Sequence, residues 1–354
     1  MTVVKRLLFS AVLIAAIPVL TLIIGELVVR VILYVKYSRN TGSSMLVLDD
    51  VLGWRVAPGF VFRGDVTDKS GSQYKVSITV DEAGCRWVRA GNSSNSPCIF
   101  FAGDSFTMAV DASDEKTYYA WIAKVLKANA VAIGGGGYGT CQEFLVLDRF
   151  LDRIRPDMVV LQLCDNDFIN NSCELESLST RNNNSMRRPY LDESGHLFYA
   201  MPGGYPRIFP RLRMLVNRHS RFLYFVFSRI DRCRSASGDS VEDVIVQKGR
   251  DFPLYNQAVR VTAVALEMIR QRVPKDIPVV AFCAGDCDEL RSLCRKTGIQ
   301  FIDGVSETLA RAEQTGHSVR AADGAHWNET GHKIVGEYLA IKIDEFGVRR
   351  RSRL

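Results

Sequence analysis

Five short runs without a charged residue punctuate the second part of the chain: Cys98–Ala102, Ala130–Ile133, Met158–Leu163, Pro278–Cys283 and Ile299–Ile302. Near-continuous apolar runs of this length predict strands buried on both faces. Glu115–Ala128, Cys141–Ile154, Tyr255–Arg272, Asp286–Thr297 and Glu329–Phe346 carry apolar residues at helical spacing instead. Alternation of the two patterns predicts an α/β domain over residues 98–346, a parallel sheet with helices on both faces. Residues 170–254 interrupt the rhythm and form an insertion far longer than an ordinary connection. Its apolar-basic run Leu212–Ile230 reads as a helix packed on the domain; the alternatives are a segment on a membrane surface or a roof over the substrate site.

Ahead of this domain, residues 40–97 are rich in Gly, Ser and Asp and contain one alternating run, Tyr74–Val80, so a small β-rich lead-in is expected. The N-terminus differs again. Leu7 to Gly25 carry no charge, and apolar character continues to Val35, the length of a membrane-spanning helix. Residues 1–39 are therefore expected to be a single-pass anchor, with Glu26 and Arg30 paired four apart. Basic residues flank both ends (Lys5 and Arg6; Arg30, Lys36 and Arg39), so charge does not set the orientation.

At 354 residues and 47% hydrophobic content the chain can bury one substantial core. Its net charge of +6 is modest, and four arginines lie in a basic tail over 347–354. No basic stripe interleaved with aromatics is present, which argues against nucleic acid as a partner. The nine cysteines read as scattered buried thiols, with one disulfide if the domain is exported. Cys283, Cys287 and Cys294 have no histidine nearby, so neither a metal nor a cofactor is expected.

The candidate chemistry sits at the ends of the predicted strands. Cys98-Ile-Phe-Phe-Ala-Gly-Asp-Ser105 places a hydroxyl just beyond a buried strand, where open α/β sheets collect ligands. Asp323-Gly-Ala-His326 offers a carboxylate and an imidazole three residues apart, able to form a relay to that serine. Attack on an ester also needs donors for the developing oxyanion. The glycine loop Gly134–Gly139 follows the second strand, and Leu163-Cys-Asp-Asn166-Asp167 follows the third; both supply candidates. The same loop formally fits a dinucleotide fingerprint, but no acidic residue ends the next strand to hold a ribose. A second Gly-Asp-Ser at Gly238–Ser240 has no apolar run before it and reads as a turn.

Other polar residues receive structural readings. Asp104 and Asp167 are taken as local hydrogen-bonding groups, and Asp111, Ser113 and Asp114 as a helix-capping cluster ahead of Thr117. His196, His219, His317 and His332 are taken as surface or helix residues, and Trp327 either walls the site or staples the last helix. Of four sequons, Asn92, Asn170, Asn183 and Asn328, the last adjoins His326, where a glycan would obstruct the site. The site reading therefore implies a chain outside glycosylating pathways, as in bacteria.

In this order, Gly103-Asp-Ser105, the Gly137 loop, Asn166-Asp167 and Asp323-Gly-Ala-His326 resemble the four blocks of the SGNH/GDSL esterase–lipase superfamily, in particular its membrane-anchored bacterial-type members. Leu52-Gly-Trp54, Thr117-Tyr118, Arg155-Pro-Asp157 and Arg188-Pro-Tyr190 extend the likeness to roughly residues 50–345. The resemblance implies a flavodoxin-like three-layer α/β/α domain, the SGNH hydrolase fold. In it Ser105 would be the nucleophile, His326 the general base and Asp323 its orienting carboxylate. The oxyanion hole would comprise the Ser105 and Gly137 N–H groups and the Asn166 side chain. Ala132 and Cys164-Asp165 depart from the usual blocks. By the same analogy the domain lies outside the cytoplasm and acts on an ester of a small molecule, a glycan or a lipid-linked saccharide. An O-acyltransferase using the same triad, or a non-catalytic glycan-binding or envelope-assembly protein, are the other readings.

Overall fold

The computed structural model describes residues 16–32, 45–91, 96–179, 181–184, 186–202, 220, 222, 223, 225, 226, 240–285 and 287–347. Helix α1 covers 16–32. The lead-in then forms two antiparallel hairpins, β1 (Leu46–Asp49) with β2 (Gly53–Val56) and β3 (Val61–Thr67) with β4 (Gln73–Thr79). Strand β5 (Arg86–Arg89) follows, and then the main alternation: β6 (Cys98–Gly103), α2 (Ser105–Met108), α3 (Tyr118–Leu126), β7 (Asn129–Gly134), α4 (Thr140–Ile154) and β8 (Met158–Leu163). Helix α5 (Asp167–Asn170) leads into the insertion, which contributes α6 (Cys173–Leu178), the hairpin β9 (Arg188–Leu191) with β10 (Leu197–Ala200), and α7 (Val241–Lys248). Helix α8 (Pro253–Arg272), β11 (Val279–Cys283), α9 (Asp288–Lys296), β12 (Gln300–Ile302), α10 (Val305–Gln314) and α11 (Glu329–Glu345) complete the chain.

The central sheet runs β12-β11-β8-β6-β7-β5. Counting only its parallel strands in chain order gives 2-1-3-4-5, the flavodoxin-like doubly wound order, whose switch point lies at the first strand. Alternate residues of each strand serve opposite cores. Phe100 and Ala102 join the side covered by α4, α8 and α9, whereas Ile99 and Phe101 join the side covered by α3, α10 and α11. Strand β8 is buried at every position, which is why these strands read as unbroken apolar runs.

The expectation of a wholly parallel sheet is corrected at one edge, because β5 from the lead-in pairs antiparallel with β7. Its residues alternate buried and exposed, as suits a strand covered on one face only. The expected anchor over 1–39 is not found among the described residues, where no helix is long and apolar enough to cross a membrane. Residues 1–15 and 33–39 lie outside them. Helix α1 leaves Ile17, Ile23, Ile24 and Leu27 each more than half exposed, and its Glu26 pairs with Arg30 as expected. Most of 203–239, including His219 and the bulk of Leu212–Ile230, also lies outside the described residues, as does the tail beyond 347.

Candidate active site

Strand β6 ends in a turn that only glycine permits at its last position. A Cβ at Gly103 would run into Thr107 Oγ1 and the Gln162 side chain. Asp104 then caps the single-turn helix α2, its Oδ1 accepting the Phe106 N–H at 2.9 Å, and Ser105 opens that helix. Gln162 on the adjacent strand holds the turn from below, accepting from Asp104 N at 3.1 Å and Thr107 Oγ1 at 3.0 Å.

The loop before α11 brings an imidazole to this hydroxyl. His326 Nε2 lies 2.8 Å from Ser105 Oγ, and its Nδ1 is hydrogen-bonded to Asp323 Oδ2. The other Asp323 oxygen accepts the backbone N–H groups of Ala325 at 2.9 Å and His326 at 3.0 Å, so the loop aims its own carboxylate. Burial pushes the Asp323 carboxyl up, but the hydrogen bonds from the His326 ring and from these two amides outweigh it and hold the group below its ordinary range. Residues 221 positions apart thus form one Ser–His–Asp array.

Aromatic packing fixes the imidazole. The Phe106 ring lies 5.0 Å from that of His326 and 4.6 Å from that of Trp327. Trp327 is buried, with Phe106, Tyr118 and His332 packed around it, so it staples the last helix and reaches the site through Phe106. Asparagine 328 caps α11 through Gly331 N and is itself buried, donating to Ser318 O.

The strand order sets the ends of β7 and β8 on either side of β6, and Gly103 pairs with both Gly134 and Gln162. The Gly137 loop and the Asn166 segment therefore leave the sheet at the level of Ser105. Gly137 takes φ +72°, a conformation that favours glycine. Asn166 Nδ2 donates to Asn170 Oδ1 at 3.1 Å, which leaves its second hydrogen uncommitted by that bond. Behind these loops lie buried acids. Burial first, and then repulsion from neighbouring carboxylates (Asp167 and Asp104 on Glu143, Asp104 on Asp167), pushes Glu143 and Asp167 well up, and burial pushes Asp104 up to about 6 despite the hydrogen bonds it accepts.

Several polar residues have roles other than those expected. His332 lies on helix α11, one of its two expected placements, but is 1% exposed there; its ring stacks on Tyr118 and Nδ1 accepts the Tyr118 N–H at 3.3 Å. Burial drives it down to about 3, so it is a neutral core residue. Thr117 itself caps α3, while Asp114 pairs with Arg86 and Ser113 Oγ donates to Glu329. In the second Gly-Asp-Ser copy, Ser240 caps α7 in a capping box with Asp243. Cys283 and Cys287 are joined as a disulfide, and Cys85, Cys141, Cys164 and Cys294 are buried thiols. Sequence reasoning missed Phe106 and Asp111 as neighbours of the triad. Only adjacency to Ser105 signals Phe106, and nothing local signals Asp111, whose carboxyl is pushed up by burial and then by Asp323.

No family model matches the chain, and no curated protein matches it. Among solved structures, a carbohydrate esterase family 2 enzyme with a carbohydrate-binding domain from Corynascus thermopiles (Myceliophthora fergusii) is 14% identical, with a TM-score of 0.40 over 85% of this chain and 95% of its own. LAE5, an alpha/beta hydrolase enzyme from the metagenome of Lake Arreo, is 14% identical, with a TM-score of 0.38 over 71% and 95%. A catalytic mutant of the acetylxylan esterase Axe2 from Geobacillus stearothermophilus is 13% identical, with a TM-score of 0.36 over 75% and 100%. Likeness at these scores carries no activity over to this chain, and the fold rests on the strand order itself.

Proposed function

We propose that this chain is a serine ester hydrolase acting through Ser105, His326 and Asp323. The observation that carries the reading is the 2.8 Å approach of His326 Nε2 to Ser105 Oγ, with Asp323 on the opposite ring nitrogen, at the switch point of a doubly wound sheet. In this reading His326 takes the serine proton as Oγ attacks the ester carbonyl, and Asp323 stabilises the imidazolium that forms. The Ser105 and Gly137 N–H groups and Asn166 Nδ2 receive the oxyanion. Collapse expels the alcohol, which takes the proton from His326. Water, deprotonated by the same imidazole, then releases the acid from the acyl-enzyme.

By analogy with the family that the sequence blocks resemble, an O-acylated saccharide is the favoured substrate. The charge-free stretch from Leu7 to Gly25 supports attachment of the chain to a membrane; the side on which the hydrolase domain lies, outside the cytoplasm in this reading, rests on the family resemblance alone. A fluorophosphonate probe tests the central claim. Wild-type protein should be labelled on Ser105 and should cleave p-nitrophenyl acetate, while Ser105→Ala should do neither. Ester cleavage surviving in Ser105→Ala protein would refute the assignment.

A further inference from the structure

The geometry points to Arg188, seconded by Trp54, as a positioning clamp that holds the Gly137 and Asn166 donors in place, an inference that rests on the hydrolase reading above. Arg188 opens β9 in the insertion and has no solvent exposure. Its Nη2 donates to Gly137 O at 2.5 Å and its Nη1 to Asn170 O at 2.7 Å. One planar fork therefore spans the loop after β7 and the helix after β8, the two segments that flank Ser105. Asn170 is also the residue whose Oδ1 receives Asn166 Nδ2. Fixing its backbone fixes the partner that orients the asparagine donor.

Trp54 completes the grip. Its Nε1 donates to Gly136 O at 3.1 Å, and that carbonyl belongs to the peptide unit carrying the Gly137 N–H. Arg188 holds the next peptide unit. Both planes flanking the Gly137 Cα are thereby pinned at a residue whose lack of a Cβ would otherwise leave them free to turn. The Trp54 ring also packs on the guanidinium, with Cζ 4.8 Å from the ring centroid.

Stability alone does not account for this arginine. Its counter-ion is Glu176, 3.1 Å from Nε and equally buried, with Tyr190 Oη donating to the same carboxylate at 2.8 Å. A fully buried ion pair is commonly no more stabilising than apolar residues of the same volume. What apolar residues cannot do is donate to two carbonyls in a fixed geometry. Lysine keeps the charge and the stem but presents a point ammonium in place of the fork.

The test uses Arg188→Lys in the full chain, with p-nitrophenyl acetate as substrate and fluorophosphonate titration to count working sites. The clamp predicts a per-site kcat about 10²-fold lower, comparable to loss of one oxyanion donor, with KM changed less than about twofold. Labelling should slow by a similar factor. A purely structural role would reduce the number of titratable sites and leave turnover per site within about threefold of wild type, and that result overturns the proposal. If Arg188→Lys does not fold, Trp54→Phe frees Gly136 O while keeping an aromatic, though smaller, ring at this buried position. A roughly tenfold loss of per-site kcat at constant KM supports the clamp, and unchanged per-site kcat overturns it. Failure of the wild type itself to be labelled at Ser105 would remove the hydrolase reading, a result distinct from either variant's.

Discussion

Asp104→Asn isolates the energetic cost of keeping a buried carboxyl next to Ser105. Asp104 is 1% exposed; one oxygen accepts the Phe106 N–H, and the other has no partner among the described residues. Burial, offset only in part by the Phe106 amide, Gln162 and His326, raises the carboxyl from its ordinary 3.8 to about 6. Between those values the folded chain retains a proton that the unfolded chain releases, so stability falls as pH rises through the window. A displacement of roughly two pH units, at about 1.4 kcal/mol each, makes that loss about 3 kcal/mol. An asparagine keeps the acceptor for Phe106 N and never ionises. Any pH-independent cost of its amide group cancels when one pH is compared with another. Urea unfolding of both proteins at about pH 3.5 and about pH 7 measures the difference directly. The stability of the variant relative to wild type should rise by about 3 kcal/mol between the two. A difference constant to within about 0.5 kcal/mol would mean that Asp104 titrates as in water, and the burial argument would fail.

Asn166→Ala should lower kcat by about 10²–10³ with little change in KM, because in the proposed mechanism the amide serves the oxyanion and not the ground-state carbonyl; steady-state kinetics on p-nitrophenyl acetate decides it. His332→Phe leaves the Tyr118 N–H without its acceptor and should cost roughly 1–3 kcal/mol at neutral pH by urea unfolding. The same variant should resist acid better than wild type. His332 falls from an ordinary 6.5 to about 3, so wild type loses stability as pH drops through that range while the unfolded chain takes up the proton. An equal acid response in the two proteins would contradict a buried neutral imidazole.

The sheet and the triad were legible for different reasons. Strands buried on both faces must be apolar throughout, and Met158–Leu163 coincides with β8 residue for residue. The candidate residues after β6, β7 and β8 were legible because strand ends are marked by the glycines and polar residues that stop the run, whereas Asp323 and His326 were legible by their spacing of three. What escaped was decided by distant partners. Helix α10 buries only Val305 and Leu309 along its length, too thin a stripe to stand out in a polar segment. Joining of β5 to β7 is a long-range pairing that no local pattern encodes. His332, six residues after His326, has a helical position but no sequence sign of the Tyr118 ring it stacks on. Arg188 stood out only through resemblance, since a lone arginine before Pro-Tyr does not declare that it will be buried.

In the proposed mechanism the parts outside the alternating core bear directly on catalysis, because the groups that need the most exact placement lie on the least regular backbone. Helix α2 is one turn long and ends at Ala109 with φ +50°, a conformation that costs a non-glycine residue roughly 1 kcal/mol. Arg86 from the lead-in, 5% exposed, holds that end of the serine turn. Its Nη1 donates to Met108 O at 2.8 Å and Ala109 O at 2.9 Å, its Nη2 donates to Ala112 O at 2.9 Å, and Asp114 balances its charge. Arg188 from the insertion does the same for the loops on either side. Each buried guanidinium thus gathers carbonyls that no helix or strand satisfies, one at the end of the Ser105 turn and one at the Gly137 and Asn170 segments. Since an unpaired buried carbonyl is costly and a guanidinium offers five donors, a single arginine can over-determine a whole turn. On this view the lead-in and the insertion are what allow short, strained loops to hold a fixed geometry at the edge of an otherwise ordinary sheet.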